Sequence, residues 1–410
     1  MPGESSLAKK DPRRWLDVAF FEKALRHGTN DRSLAVEDFF ISVQRNAAEQ
    51  FASSIYRANV RYRSKGKVEP AALAVKLVSS KVNRSSDELS YENESHKYRD
   101  VVNQMQDLLK QAGESNYQLT PKFLYACADP RPVIVLEDAT AKGFEVHKTQ
   151  LDSEGSKVVL AKLAKFHAAS HALLKDVTNK NLIENSTGLF NAKSSEGVQF
   201  IKENFSIFTE ELAKWSGFEK YSAKLHNVLP NFHQLSEKIF SQNSETACFA
   251  VLNHGDLNYN NILKKYNDTK TSVLDVLFID FQLSFWGTPA VDLFYFLYLV
   301  CDKQNRESNK ESLIQYYHQQ LTETFNKIGY LGKIPSLQEI NNDLLKYGFL
   351  EVVIAVCFVP FLFADYSTAL STFQDSQDAK EYRRQLYNSP QYRKIIEPLL
   401  PYFLHKGFMQ

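Results

Sequence analysis

The sequence predicts an α+β fold in two lobes, a small antiparallel-sheet lobe over residues 1–136 and a larger helical lobe over 137–410. Two observations predict it. In the first third, short β-branched and aromatic runs bounded by turn formers surround one long helical stretch. Past about residue 150 the apolar spacing changes to the helical period and holds it over long segments. A chain of 410 residues can bury a core large enough for two lobes around a cleft.

The first two strands are expected at Phe39–Arg45 and Ser53–Arg63, with polar NAAEQ between them, and the turn-forming SKGKVEP leads into a third at Ala71–Val78. A helix over about Ser86–Gln111, closed by Gly113, precedes two more strands, Lys122–Cys127 and Val133–Glu137. The lobe is thus a five-stranded sheet with one helix. Helices are then expected at Gly155–Leu174, Ser195–Lys214, Ser222–Phe240, Ala290–Val300, Lys310–Ile328 and Ser336–Leu362, broken by a β interlude over Phe249–Phe281. No repeat or low-complexity tract interrupts this order.

Composition removes several function classes. Lys and Arg number 49 against 48 Asp and Glu, which leaves no basic excess to hold a nucleic-acid backbone. Cysteines 127, 248, 301 and 357 form no CxxC pair, so free reduced thiols are expected rather than a zinc site or disulfide framework. The N-terminal MPGESSLAKKDPRRW has no apolar signal core, and the expected location is the cytoplasm. Val352–Ala364, the most apolar run, is too short to cross a bilayer and holds Pro360, so no membrane partner is expected. The 29 Phe and 20 Tyr suit an apolar ligand pocket, and suit ordinary packing as well. Phe285, Trp286, Phe294 and Tyr298 carry the same two readings, pocket wall or core.

The chemistry concentrates in His254-Gly255-Asp256-Leu257-Asn258-Tyr259-Asn260-Asn261, between two apolar runs. Asp256 and Asn261 stand five positions apart. A carboxylate there can orient an attacking hydroxyl and take its proton, while an amide oxygen is a neutral hard ligand suited to Mg²⁺. Downstream, the apolar run Val276–Phe281 carries Asp280, an acid costly to bury there without a counter-ion and a strong metal-ligand candidate. Asp292 reads as structural, either capping the helix that begins at Ala290 or bracing the loop around Asp256. On the N-terminal side Lys76 is a lone cation in the strand AALAVKLV, and Glu94 in the long helix is its expected counter-charge, with Glu92 the second choice. Strand lysine, helix glutamate, H-x-D-x-x-x-x-N and strand aspartate follow one another in protein-kinase order, which makes the expected fold protein-kinase-like. By that order Val133–Ala139 is the hinge, with the backbone of Glu137 and Ala139 on the adenine edge.

With these residues in place, the chain resembles the ecdysteroid kinase-like family of insects, itself similar to the choline kinase and aminoglycoside phosphotransferase group. The resemblance runs from about Ser42 to Leu299. It is carried by Phe51-Ala-Ser-Ser-Ile-Tyr-Arg57, Ala74-Val-Lys76, Glu94-x-x-x-Tyr98, Leu136-Glu-Asp138, Leu163-Ala-Lys-Phe-His-Ala-Ala-Ser170, His254-Gly-Asp256 and Asp280-Phe-Gln282. It implies ATP- and Mg²⁺-dependent phosphorylation of a hydroxyl on a small lipophilic molecule, an ecdysteroid, another steroid or a xenobiotic alcohol. In that picture Asp256 is the catalytic base and Asn261 and Asp280 hold metal. Lys76, Glu94, Ser53, Glu137 and Ala139 bind ATP. Two departures stand out. The phosphate-covering stretch Asn46–Ser53 contains no glycine and has Ala48 where the family commonly has one, which makes close backbone approach to phosphate harder. Asn258 stands where the family usually has Trp, a position expected to brace the loop. The alternative reading is a catalytically weak pseudokinase that binds a lipophilic ligand. A protein substrate is disfavoured because the segment after Asp280 reaches Pro289 in only nine residues, too few for a peptide platform.

Overall fold

The structure, a computed structural model, describes residues 15–43, 53–78, 84–114, 117–175, 195–240, 249–365 and 376–409. Helix α1 (Val18–Thr29) opens it, capped by Asp17, whose Oδ1 accepts from Phe20 N at 2.9 Å. Then come β1 (Ala35–Val43), β2 (Ser53–Ser64) and β3 (Lys67–Val78), joined at Lys65-Gly66 by a two-residue turn with φ of 49° and 79°. The sheet is completed by β4 (Phe123–Cys127) and β5 (Val133–Glu137) in the antiparallel order β1-β2-β3-β5-β4. Two expectations change. The lobe has a second helix, α1, whose Phe21, Ala24 and Leu25 cover the sheet face away from the cleft together with Val75 and Leu77. The first strand begins at Ala35 rather than Phe39, and its expected end, with the glycine-less stretch around Ala48, lies outside the described residues.

The long helix is α2 (Arg84–His96), a π turn (Lys97–Val102) and α3 (Asn103–Gln111). A short strand the sequence did not announce, β6 (Phe144–Val146), precedes the buried α4 (Ser153–Lys175). Next are α5 (Ser195–Leu212), α6 (Glu219–Val228) and α7 (Phe232–Phe240). The expected helix Ser222–Phe240 is therefore two, because Pro230 lies in the 3₁₀ turn between them and cannot extend a helical ladder. The β interlude holds β7 (Val251–Asn253), β8 (Ile262–Tyr266), β9 (Val273–Phe278) and β10 (Phe285–Gly287), paired as β10-β7 and β6-β8-β9. Helix α8 (Ala290–Tyr295) runs into a π turn (Phe296–Val300), followed by α9 (Lys303–Ser308) and by α10 (Lys310–Lys327), which packs along α4.

The expected helix Ser336–Leu362 also breaks, into α11 (Leu337–Lys346), α12 (Gly348–Cys357) and a 3₁₀ turn (Val359–Phe363). Gly348 admits the Phe408 ring so closely that a Cβ there would lie 2.2 Å from it. Two unannounced helices, α13 (Gln377–Asn388) and α14 (Pro390–His405), close the chain. Phe285, Trp286, Phe294 and Tyr298 are all buried in the main core, so the packing reading of these aromatics holds. Cys127, Cys301 and Cys357 are free thiols, Cys248 lying outside the described residues. Among the described residues no single helix is long and apolar enough to cross a membrane.

Candidate active site between the lobes

Strand alternation sends Leu73, Val75 and Leu77 of β3 into the outer core and leaves Ala74 and Lys76 facing the cleft. Lys76 Nζ donates to both Glu94 oxygens at 2.8 and 2.7 Å, and to Asp280 Oδ1 at 2.9 Å. The Glu94 side chain is 3% exposed and that of Lys76 12%. Glu92, the second-choice partner, is exposed on the same helix. One ammonium thus serves two carboxylates. Burial alone would pull Lys76 down, but the charges of Asp280 and Glu94 outweigh it and hold the ammonium above its ordinary value. Burial pushes the Glu94 carboxyl up, with Lys76 opposing the rise and Asp280 adding to it. The helix is tied to the segment after Asp280 as well. Asn93 Nδ2 donates to Gln282 O at 2.8 Å and Ser284 O at 3.1 Å, and Tyr98 Oη accepts from Asp280 N at 3.1 Å.

The loop after β7 hangs on a fully buried carboxylate. Asp292 accepts from His254 N at 2.6 Å, Gly255 N at 3.0 Å and His167 Nε2 at 3.1 Å. Of its two expected roles Asp292 takes the bracing one, and α8 has no side-chain cap. Since His167 Nε2 faces a carboxylate it carries the proton, and Nδ1 accepts from Tyr317 Oη at 2.7 Å. His254 Nε2 likewise donates, to Ile279 O at 2.8 Å, which fastens the loop to the end of β9. Gly255 has φ 81°, and a Cβ there would lie 2.1 Å from Leu283 O, so the turn requires glycine.

Asp256 is held at both oxygens. Asn258 Nδ2 donates to Oδ1 and Asn261 Nδ2 to Oδ2, each at 2.9 Å. Asn258 is in turn oriented by its own Oδ1, which accepts from Asn260 N at 2.9 Å. Burial pushes the Asp256 carboxyl up; the Asn258 bond is the strongest opposing influence, followed by His254, while the Asp280 charge adds to the rise. The position of Asn258 was expected to brace the loop, and its amide does so through hydrogen bonds to Asp256 and Asn260. Its contact with Asp256 was legible only as a short amide two residues from a carboxylate.

Lys76, Glu94, Glu137, Ala139, Asn261 and Asp280 line one cleft of about 160 Å³, floored by Val146, Leu263 and Ile279. Asp256, bonded to Asn261, stands beside it. Ser53 is the first residue of β2, paired with Val78. Asp280 leaves β9 with φ 70°, an unusual backbone for a non-glycine residue and of a kind concentrated at functional sites. Among the described residues no three His, Cys, Asp or Glu side chains form a metal cage. The donor set still fits Mg²⁺: an Asp280 carboxylate and an Asn261 amide oxygen are hard ligands, and Mg²⁺ commonly takes one or two protein ligands and completes its shell with phosphate and water. A larger hollow of about 740 Å³, lined by His171, Phe249, Tyr330 and Lys333, lies at the far end of α4 and includes no residue of the Asp256 loop.

A sheet lobe, a helical lobe, and Lys76, Glu94, Asp256, Asn261 and Asp280 converging between them define a kinase-like phosphotransferase architecture. Residues 47–330 match the ecdysteroid kinase-like family, and the chain belongs to it. Comparison with curated protein sequences gave no match. Among solved structures, the chain is similar to spectinomycin phosphotransferase APH(9)-Ia in complex with ADP and spectinomycin, at 14% identity and TM-score 0.45, covering 94% of this chain and 98% of that one. It is also similar to an ethanolamine kinase of Plasmodium vivax, at 13% identity and TM-score 0.42, covering 87% and 83%. A third is the choline kinase LicA of Streptococcus pneumoniae, at 14% and 0.33, covering 90% and 96%.

Proposed function

We propose that this protein transfers the γ-phosphate of ATP to a hydroxyl of a small lipophilic molecule, an ecdysteroid, another steroid or a xenobiotic alcohol, in the cytoplasm and with Mg²⁺. The observation that carries the reaction is the double hold on Asp256 beside the cleft that contains Lys76, Glu94 and Asp280. Asp256 accepts the acceptor's hydroxyl proton as its oxygen bonds to the γ-phosphorus, and the bond from that phosphorus to the β–γ bridging oxygen breaks to release ADP. Lys76, aligned by Glu94, stands against the α- and β-phosphates, and the backbone of Glu137 and Ala139 meets the adenine edge. Ser53, where β2 begins, is assigned to the phosphate end of the site. Asn261 and Asp280 would hold Mg²⁺, which when bound neutralises phosphate charge. The rest of the catalysis is positioning. The acceptor class rests on family membership, and the cytoplasmic setting on the free thiols.

The test is ADP formation by the purified protein with Mg²⁺-ATP against steroids, choline, aminoglycosides and plant alcohols, with Asp256→Ala as control. Phosphate on one lipophilic class, lost in the control, is the expected result. Phosphorylation of choline or an aminoglycoside in preference would overturn the acceptor class, and phosphorylation that persists in Asp256→Ala would overturn the assignment of the base.

A further inference from the structure

A charged contact at the rim of the cleft has no role in the scheme above. Arg57 stands on β2 across from Ala74 and lines the cleft two residues beyond Ile55. Its Nη1 donates to Asp138 Oδ1 and, at 3.2 Å, to Thr140 Oγ1. Asp138 is itself fixed, because Oδ1 also accepts from Thr140 N at 3.0 Å and from Thr140 Oγ1 at 2.7 Å, capping the 3₁₀ turn Ala139–Lys142. The pair is well covered, with side chains 16% and 9% exposed, so water and salt weaken it less than a surface pair.

Its place in the fold gives it a consequence. Arg57 and Thr140, with Val146 and Leu263, line two spaces at once: the inner cleft of about 160 Å³ that holds Lys76 and Asp280, and an outer depression of about 550 Å³ that reaches Tyr266 and Lys270. The bridge is therefore part of the wall between them. The inner space of about 160 Å³ is smaller than the roughly 300 Å³ at which small-ligand sites begin, so a nucleotide seated there must reach past this wall toward the outer depression or displace it. Both ends are carried by the sheet lobe, since Asp138 follows β5 directly and its N donates to Ala72 O of β3 at 2.8 Å, so the contact opens by movement of the side chains and not with the lobes.

We propose that the Arg57–Asp138–Thr140 bridge is a latch on the outer wall of the nucleotide site, which opens to admit the nucleotide and re-forms across its exposed edge, setting how long it stays. The proposal rests on the cleft being a nucleotide site, and the test separates the two ideas. Stopped-flow binding of a fluorescent ATP analogue with Mg²⁺ would compare the wild-type chain with Arg57→Ala, Asp138→Asn and the double variant. Dissociation should speed up about tenfold in each single variant, the effect of losing one charge-assisted hydrogen bond, with association changed less. The double variant should release nucleotide no faster than Arg57→Ala, because both remove one contact. Arg57→Gln, which keeps an N–H donor without the charge, should fall between wild type and Arg57→Ala, and carries the test if the alanine variant does not fold. Wild-type binding with variant dissociation rates within twofold of it would sink the latch and leave the nucleotide site standing, as would single effects that multiply in the double variant. Failure of the wild-type chain to bind the probe at millimolar concentration would sink both.

Discussion

Replacing Asn258 by Ala is expected to cost turnover rather than nucleotide binding. The Asp256 carboxylate has one amide donor on each oxygen, Asn258 on Oδ1 and Asn261 on Oδ2, both at 2.9 Å. Two bonds on opposite oxygens fix the plane of the carboxylate; one bond leaves it free to turn. A hydrogen bond to an ionised group contributes about 1.5–3 kcal/mol, so kcat should fall about 10- to 150-fold if the whole of it is realised as the proton leaves the acceptor. The same bond is the strongest influence holding the Asp256 carboxyl down against burial, so its loss moves that carboxyl further up. Because the base acts ionised, the acid limb of the rate profile must shift to higher pH. Coupled ADP-release kinetics across pH, with kcat and KM for ATP and acceptor resolved separately, measure both effects. A kcat within twofold of wild type, or a loss confined to the KM for ATP, would refute the positioning role.

Gly255→Ala should destabilise the fold and abolish turnover together, since left-handed backbone costs a non-glycine residue about 1–2 kcal/mol and the new Cβ also meets Leu283 O at 2.1 Å; a urea midpoint equal to wild type would contradict this. Lys97→Met should do the reverse. Lys97 is fully buried, its Nζ has no hydrogen-bond partner among the described residues, and burial pulls it down to about 8 from 10.5. A lysine lowered in the folded state weakens the fold fully below the lowered value and ceases to do so as pH rises to 10.5. Removing the charge should therefore add about 2 kcal/mol at pH 7, discounted from the full shift, with the gain shrinking between pH 8 and 10.5. Urea titrations at pH 7 and 10 check this, and an equal gain at both pH values would count against it.

The sheet lobe and the order of the reactive residues were legible because each signal is local or nearly so. Asp256 and Asn261 lie in one loop, Lys76 is a cation in an apolar strand, and Glu94 falls eighteen residues later on the only long helix nearby. Helix α1 had a local signal too, an Asp17 cap before an amphipathic run, and was passed over. The close approach at Gly348 was not legible, since the ring that fills the space of a Cβ there belongs to Phe408, sixty positions away in sequence. Helix α14 was hidden by Pro398 and Pro401, residues that ordinarily argue against a helix interior. Arg57 and Asp138 are 81 positions apart, and nothing near either one announces the other.

The halves of the site are anchored to different parts of the protein. The Asp256 loop is set from below, through Asp292 to His167 of α4, and so belongs to the helical lobe. Asp280 is set from above as well, by Tyr98 Oη at its backbone N and Lys76 at its carboxylate, both in the sheet lobe. Glu94 and Tyr98 straddle the start of the π turn, so one helix presents the partner of Lys76 and the anchor of Asp280 together. π turns recur at functional sites, and here the turn also carries Lys97, a buried ammonium with no hydrogen-bond partner among the described residues, which is costly to the fold. Lys76 is one positive charge facing the carboxylates of Glu94 and Asp280, with Asp256 close enough to feel Asp280. Hydrogen bonds to backbone and amide groups position these acids but cannot cancel the excess negative charge. That excess is what a dication on Asp280 and Asn261 would offset, and it explains why the acids need such rigid attachment before any nucleotide arrives.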